Sequence, residues 1–128
     1  MSGHIRAVIT EIAEKKGKDI VSIDLSAIDG AFCSAFVICS GDSSTQVNAI
    51  ADGIERGLRE KFSLHPWSVQ GRDNSQWILL DYGDVVVHVF HPYISEYYRL
   101  EALWADGDLS RYDGNGDLQN QSTTNGNE

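Results

Sequence analysis

Apolar side chains recur at helical spacing at Ile5, Val8, Ile9, Ile12 and Ala13, so the chain opens with a helix. Ser2 is placed to cap it, and Lys15, Lys16 and Gly17 supply a favourable C-terminus. Two strands are expected next. Asp19 to Leu25 alternates Ile20, Ser22 and Asp24 with Val21, Ile23 and Leu25, the pattern of a half-buried strand, while Ala35 to Ser40 is a continuous apolar run suited to a central one. The segment between them contains Gly30 and has room for a turn of helix. Gly41 to Ser44 then open a longer helix, in which Ser43 and Gln46 stand at capping-box spacing. Val47, Ile50, Ala51, Ile54, Leu58 and Phe62 form its apolar stripe. Its polar face, with Asn48, Asp52, Glu55, Arg56 and Glu60, reads as solvated surface. Gly53 and Gly57 lie one turn apart inside it and cost up to roughly 1 kcal/mol each relative to Ala, which points to close approach by a strand or a second helix. A third strand is expected around Trp67 to Gln70. Pro92 starts a last helix whose stripe of Tyr93, Tyr97, Leu100 and Trp104 reads as core.

Between these lies WILLDYGDVVVHVF, Trp77 to Phe90, whose turn signal is Tyr82, Gly83 and Asp84. A Gly-X pair at the centre suits a type II′ hairpin, with Gly83 and Asp84 as the loop. Alternation then puts Ile78, Leu80, Tyr82, Val85, Val87 and Val89 on one aliphatic face, ready to pack under helices. The other face carries Trp77, Leu79, Asp81, Val86, His88 and Phe90. Two readings of this mixed face stand: an interface with an aromatic anchor and a polar rim, or a strand buried on both sides with one satisfied polar residue. Element order is αββαβββα, an α/β domain with a mixed sheet of about five strands and flanking helices.

Length and composition refine that picture. At 128 residues the chain is long enough for one self-sufficient core, and it holds no apolar run near the roughly 20 residues of a membrane span. Residues 1–104 are expected to form that single domain. Residues 105–128 are dominated by Asp, Gly, Asn, Gln, Ser and Thr, with Leu109, Tyr112 and Leu118 as the large apolar exceptions, and read as a disordered acidic tail. The N-terminus lacks both the apolar stretch of a signal peptide and an acid-free transit sequence, so a cytoplasmic protein is expected. Cys33 and Cys39 match no zinc spacing and read as reduced, with Cys39 in the core. A net charge of −9 repels phosphate and argues against direct nucleic-acid binding; a basic protein surface is the better partner.

FVICSG at Phe36 to Gly41, SSTQV at Ser43 to Val47, AIAD at Ala49 to Asp52, the hairpin motif, and YYRLEALW at Tyr97 to Trp104 stand together in one order. In this the chain resembles the ribosomal silencing factor family, also called RsfS or Iojap, over about residues 4 to 106. Ser34 and Ala35 depart from it, standing where the family often has Asp-Tyr or Asp-Cys. The resemblance implies a nucleotidyltransferase-like fold that works without catalysis or cofactor, and a capacity to form homodimers. It further implies a factor that binds large-subunit ribosomal protein fourteen, covers the surface where the small subunit docks, and represses translation when nutrients are scarce. The residues it assigns to that contact are Trp77, Leu79, Asp81, Tyr82, Asp84, Val86 and His88.

The rival reading is an active nucleotidyltransferase, because Gly41, Ser43 and Ser44 at a helix N-terminus are suited to hold phosphate. Such an enzyme needs two carboxylates together for metal ions. Asp52 falls on the helix, Asp81 and Asp84 flank a turn, and Asp24 stands alone, so Ser43 reads as a cap and no catalytic residue is assigned. His88 and His91 fall on opposite faces of a continuing strand with no third ligand nearby in sequence, so no metal site is assigned either.

Overall fold

The computed structural model describes residues 2–28, 30, 33–73, 75–91 and 108–119. Its elements are α1 (Ser2–Glu14), β1 (Lys18–Asp24), β2 (Ala35–Ser40), α2 (Ser44–Phe62), β3 (Ser68–Gln70), β4 (Trp77–Asp81), β5 (Val85–Phe90) and β6 (Asp108–Tyr112). They make one mixed sheet of order β3-β4-β5-β2-β1-β6, antiparallel throughout except between β2 and β5. That parallel pair is joined through α2, as a crossover connection requires. The expected last helix from Pro92 lies outside the described residues. Among the described residues no helix is long and apolar enough to cross a membrane.

Alternation sorts the apolar residues into two cores. On one side, Ile20, Val37, Cys39, Ile78, Leu80, Tyr82, Val85, Val87 and Val89 meet Val8, Ile9 and Ile12 of α1 and Val47, Ile50, Ala51, Ile54 and Leu58 of α2. On the other, Val21, Ile23, Leu25, Cys33, Phe36, Ile38, Val86 and Phe90 form a second buried cluster, with Trp77, Leu79 and Leu109 packed against it. Cys33 and Cys39 are free thiols, and burial pushes the pKa of both up.

The two helices are joined by side chains that sequence spacing only half reveals. Ser43 caps α2 by accepting from Gln46 N–H, and the Gln46 amide reaches the other way, donating to the carbonyls of Lys15 and Lys16 just past the end of α1. One residue therefore closes the start of one helix and the end of the other. The helix α1 takes in Ser2 itself, and its C-terminus turns with Lys16 at φ 66° and Gly17 N–H donating to Ile12 O, a Schellman arrangement. Gly53 and Gly57 are where α1 crosses: an added Cβ at Gly57 would stand 2.6 Å from the buried Glu11 carboxylate, and one at Gly53 would meet the flexible Lys15 chain at 3.1 Å and Glu11 Oε1 at an ordinary 3.5 Å. Part of the presumed solvated face of α2 is also engaged. Asn48, Asp52 and Glu55 gather around Arg72 from the β3–β4 connection, and Asn48 also bonds Ser75.

The expectation of a disordered segment from residue 105 fails between Asp108 and Gln119. Composition averaged away a short alternating run, DLSRY, that pairs with β1 as a sixth strand. Leu109 joins the second core, Tyr112 the first, and the Tyr112 hydroxyl lies 2.9 Å from Ser22 Oγ. Beyond it, Asp113 accepts from the amides of Asn115 and Asp117, folding the chain back so that Leu118 bridges to Tyr112. Between β1 and β2, Ile28 N–H donates to Leu25 O in a turn, and no helix is present among the described residues there.

The glycine pair gives an ordered prediction. Replacing either by Ala gains up to about 1 kcal/mol of helix propensity. At Gly57 the displaced Glu11 side chain outweighs this, and Gly57→Ala should lower stability by about 1 kcal/mol or more. Gly53→Ala should be neutral or stabilising. Urea denaturation of the two variants checks the order, and a Gly57→Ala protein as stable as the Gly53→Ala one would contradict the crossing geometry.

Candidate functional site

The hairpin closes as its sequence requires. Tyr82 N–H donates to Val85 O at 2.9 Å across a loop of Gly83 and Asp84, and the positive φ falls on Gly83 (90°) and not on Asp84, the pattern of a type II′ turn. Asp81 holds the loop, its Oδ1 accepting from Gly83 N–H at 2.8 Å. The register pairs Trp77 with Phe90, Leu79 with His88 and Asp81 with Val86, so the division into two faces is the one alternation gives. Tyr82 lies on the helix side, 5% exposed, where burial and the nearby Glu55 charge raise its phenol pKa.

On the opposite face the hairpin builds an aromatic cluster with β2. Trp77 stacks on Phe90 at 5.3 Å and on His88 at 5.9 Å, and Phe36 meets His88 edge-on at 4.7 Å. The Trp77 indole N–H donates to His88 Nδ1 at 3.1 Å. An indole can only donate, so Nδ1 is the acceptor and the imidazole proton sits on Nε2. That Nε2 is buried without a hydrogen-bond partner. Burial pushes the His88 pKa down to about 4, and the ring is neutral at physiological pH.

The residues expected at the contact therefore separate into two groups. Trp77, Leu79, Asp81 and Asp84 are half-buried and reach the surface, whereas Val86 and His88 are each 3% exposed and lie beneath them. Burial divides the mixed face by strand: β5 is buried on both sides, and β4 presents its outward side chains at the surface. The Asp84 carbonyl accepts from the amides of Ser34 and Ala35, tying the turn to the start of β2. The charges of Asp81 and Asp84 reinforce burial in raising the Cys33 pKa. Sequence reasoning missed Trp67, which it assigned to a strand. It precedes β3, is 79% exposed, and lies against Gly83, where an added Cβ would come within 2.8 Å of its ring.

The polar groups of the rival site at the start of α2 are already engaged. Ser43 Oγ is occupied as a cap, and the Gln46 carbonyl oxygen takes the neighbouring Asp42 N–H. Asp24, alone in sequence, faces Asp108 across β1 and β6 beside a cavity of about 540 Å³, and its carboxylate is committed to the amide and hydroxyl of Ser26. Those bonds hold its pKa below the usual carboxylate value. Among the described residues no group of three or more His, Cys, Asp or Glu side chains is arranged to hold a metal ion.

The family model described as "Ribosomal silencing factor during starvation" matches residues 2–128. The ribosomal silencing factor RsfS of Bacillus subtilis is 40% identical over 100 residues, 78% of this chain and 83% of that one. The corresponding protein of Chromobacterium violaceum is 36% identical over 99 residues, 77% and 80% of the two chains. A crystal structure of a Chromobacterium violaceum protein superposes with a TM-score of 0.75 at 33% identity, covering 82% of this chain and 86% of that one. A match along essentially the whole length, with relatives above 30% identity sharing the sheet, places this chain in the ribosomal silencing factor family.

Proposed function

We propose that this chain represses translation by binding the large ribosomal subunit through its protein fourteen, covering the surface where the small subunit docks when nutrients are scarce. The observation that carries the reading is the Trp77 ring, half-buried at the surface and fixed by His88 and Phe90, on a hairpin that also bears Asp81 and Asp84. A rigid aromatic anchor with an acidic rim suits a basic protein embedded in RNA that would repel the rest of an acidic chain. Trp77, Leu79, Asp81 and Asp84 make the contact. Tyr82, Val86 and His88 hold those four in place from beneath. The chain acts in the cytoplasm by occupancy, without a reaction or cofactor, and its homodimer form is a separate state of the same fold.

Co-sedimentation of the full chain with purified large subunits tests this directly, and absence of the protein from the pellet would sink it. Trp77→Ala should weaken binding by about 2 kcal/mol, as for a buried interface aromatic. Asp84→Lys leaves both cores untouched and should slow association while reducing its dependence on salt; unchanged rates at low salt would show that the acid does not face a basic partner.

Acid provides another test. With the folded His88 pKa near 4 and an unfolded value near 6.5, the unfolded chain binds the extra proton between those limits. His88 therefore contributes its full share of stability above about pH 6.5 and loses it as pH falls toward 4. Protonated Nδ1 also ceases to accept from Trp77. Thermal melts from pH 7 to 4 should show a decline that His88→Gln, which keeps an acceptor but does not titrate, makes shallower. Parallel declines in the two proteins would count against a buried neutral histidine.

A further inference from the structure

We propose that Trp67 is a second anchor of the docking surface, its exposed indole receiving a Lys or Arg side chain of the basic protein that the hairpin meets. The inference rests on the reading above, that a basic large-subunit protein is the partner. Trp67 is the most exposed large apolar side chain among the described residues, 79% open to solvent. It is nonetheless held in place. Pro66 precedes it, its N–H donates to Asp81 O at 2.7 Å, and its ring lies against the one loop residue without a Cβ, 2.8 Å from where a Gly83 Cβ would stand. A ring fixed before binding loses little conformational freedom on contact.

Charge selects the occupant. From Phe62 to Phe90 the chain has a single Lys or Arg, Arg72, and that guanidinium is engaged by Asn48, Asp52 and Glu55 of α2. The turn under the indole brings Asp81 and Asp84. An aromatic face beside carboxylates that no ion pair engages among the described residues attracts a cation through both the ring quadrupole and the charges. The same carboxylates oppose a phosphate backbone, so the occupant is a basic protein side chain and not RNA. Trp is also the residue type most enriched among interface hot spots.

The test uses the full chain and purified large subunits, with binding read by co-sedimentation and folding by melting temperature. Trp67→Ala and Trp67→Leu should each weaken binding at least about tenfold at unchanged melting temperature, while Trp67→Phe, which keeps a π-face, stays within about threefold of the parent. The Leu variant still covers Gly83 and serves if the Ala variant loosens the turn. Parent-like binding by both Ala and Leu variants overturns the inference and leaves the hairpin reading standing. A parent protein that fails to pellet overturns the hairpin reading, and this inference with it. Weakening by Trp67→Ala combined with strengthening by Asp84→Lys would mean that the indole stacks on an RNA base, which also overturns the assignment.

Discussion

Strand β5 is buried on both faces, and that constraint organises the molecule. Each residue from Val85 to Phe90 must satisfy one of two cores, so Val85, Val87 and Val89 fill the helix side while Val86, His88 and Phe90 fill the other. A slip of one residue would exchange the two sets and drive His88 under the helices. The Gly83–Asp84 loop fixes the register against β4, and the Asp84 carbonyl fixes the approach of β2 on the other edge. Both neighbours of β5 are thus aligned from the same turn.

Within that strand His88 is the one polar side chain, and its position has a cost. Its neutral form leaves Nε2–H unsatisfied, which costs about 1–3 kcal/mol, while its Nδ1 satisfies the indole N–H of Trp77. The compensation is directional. An apolar residue would pack as well, but it would leave the Trp77 N–H unpaired and the ring free to turn. The histidine therefore trades stability for the orientation of a tryptophan at the surface.

What could be read from sequence and what could not divide along physical lines. The two faces of the hairpin, the type II′ turn, the Ser43 cap and the core position of Cys39 depend on local periodicity and turn chemistry, and all were legible. Gly53 and Gly57 announced a close approach, but only the fold identifies Glu11 and Lys15 as what approaches. Arg72 was invisible because its acceptors lie on a helix 17 to 24 residues earlier in the chain. Composition misread Asp108 to Gln119, since Leu109 and Tyr112 are too few to raise mean hydropathy yet sit at the two positions where a β1 edge needs them. Trp67 was assigned to a strand because an aromatic beside β-forming residues usually belongs to one, and no local pattern distinguishes a tryptophan laid over a turn. Of the residues expected at the contact, alternation gives the face but not the depth, so Val86 and His88 are separated from Trp77 and Leu79 only by the packing.

The sixth strand has a consequence for the order in which the sheet is completed. Ser22 and Tyr112 touch across 90 residues of chain, so β6 cannot dock until nearly everything between them has been synthesised and the long loop closed. During that interval β1 keeps a free edge of unpaired amides and carbonyls, the kind of edge on which other strands add. The C-terminal segment is then less an appendage than the outermost strand of the sheet, and a chain cut before Asp108 would bare on β1 the backbone groups that β6 pairs.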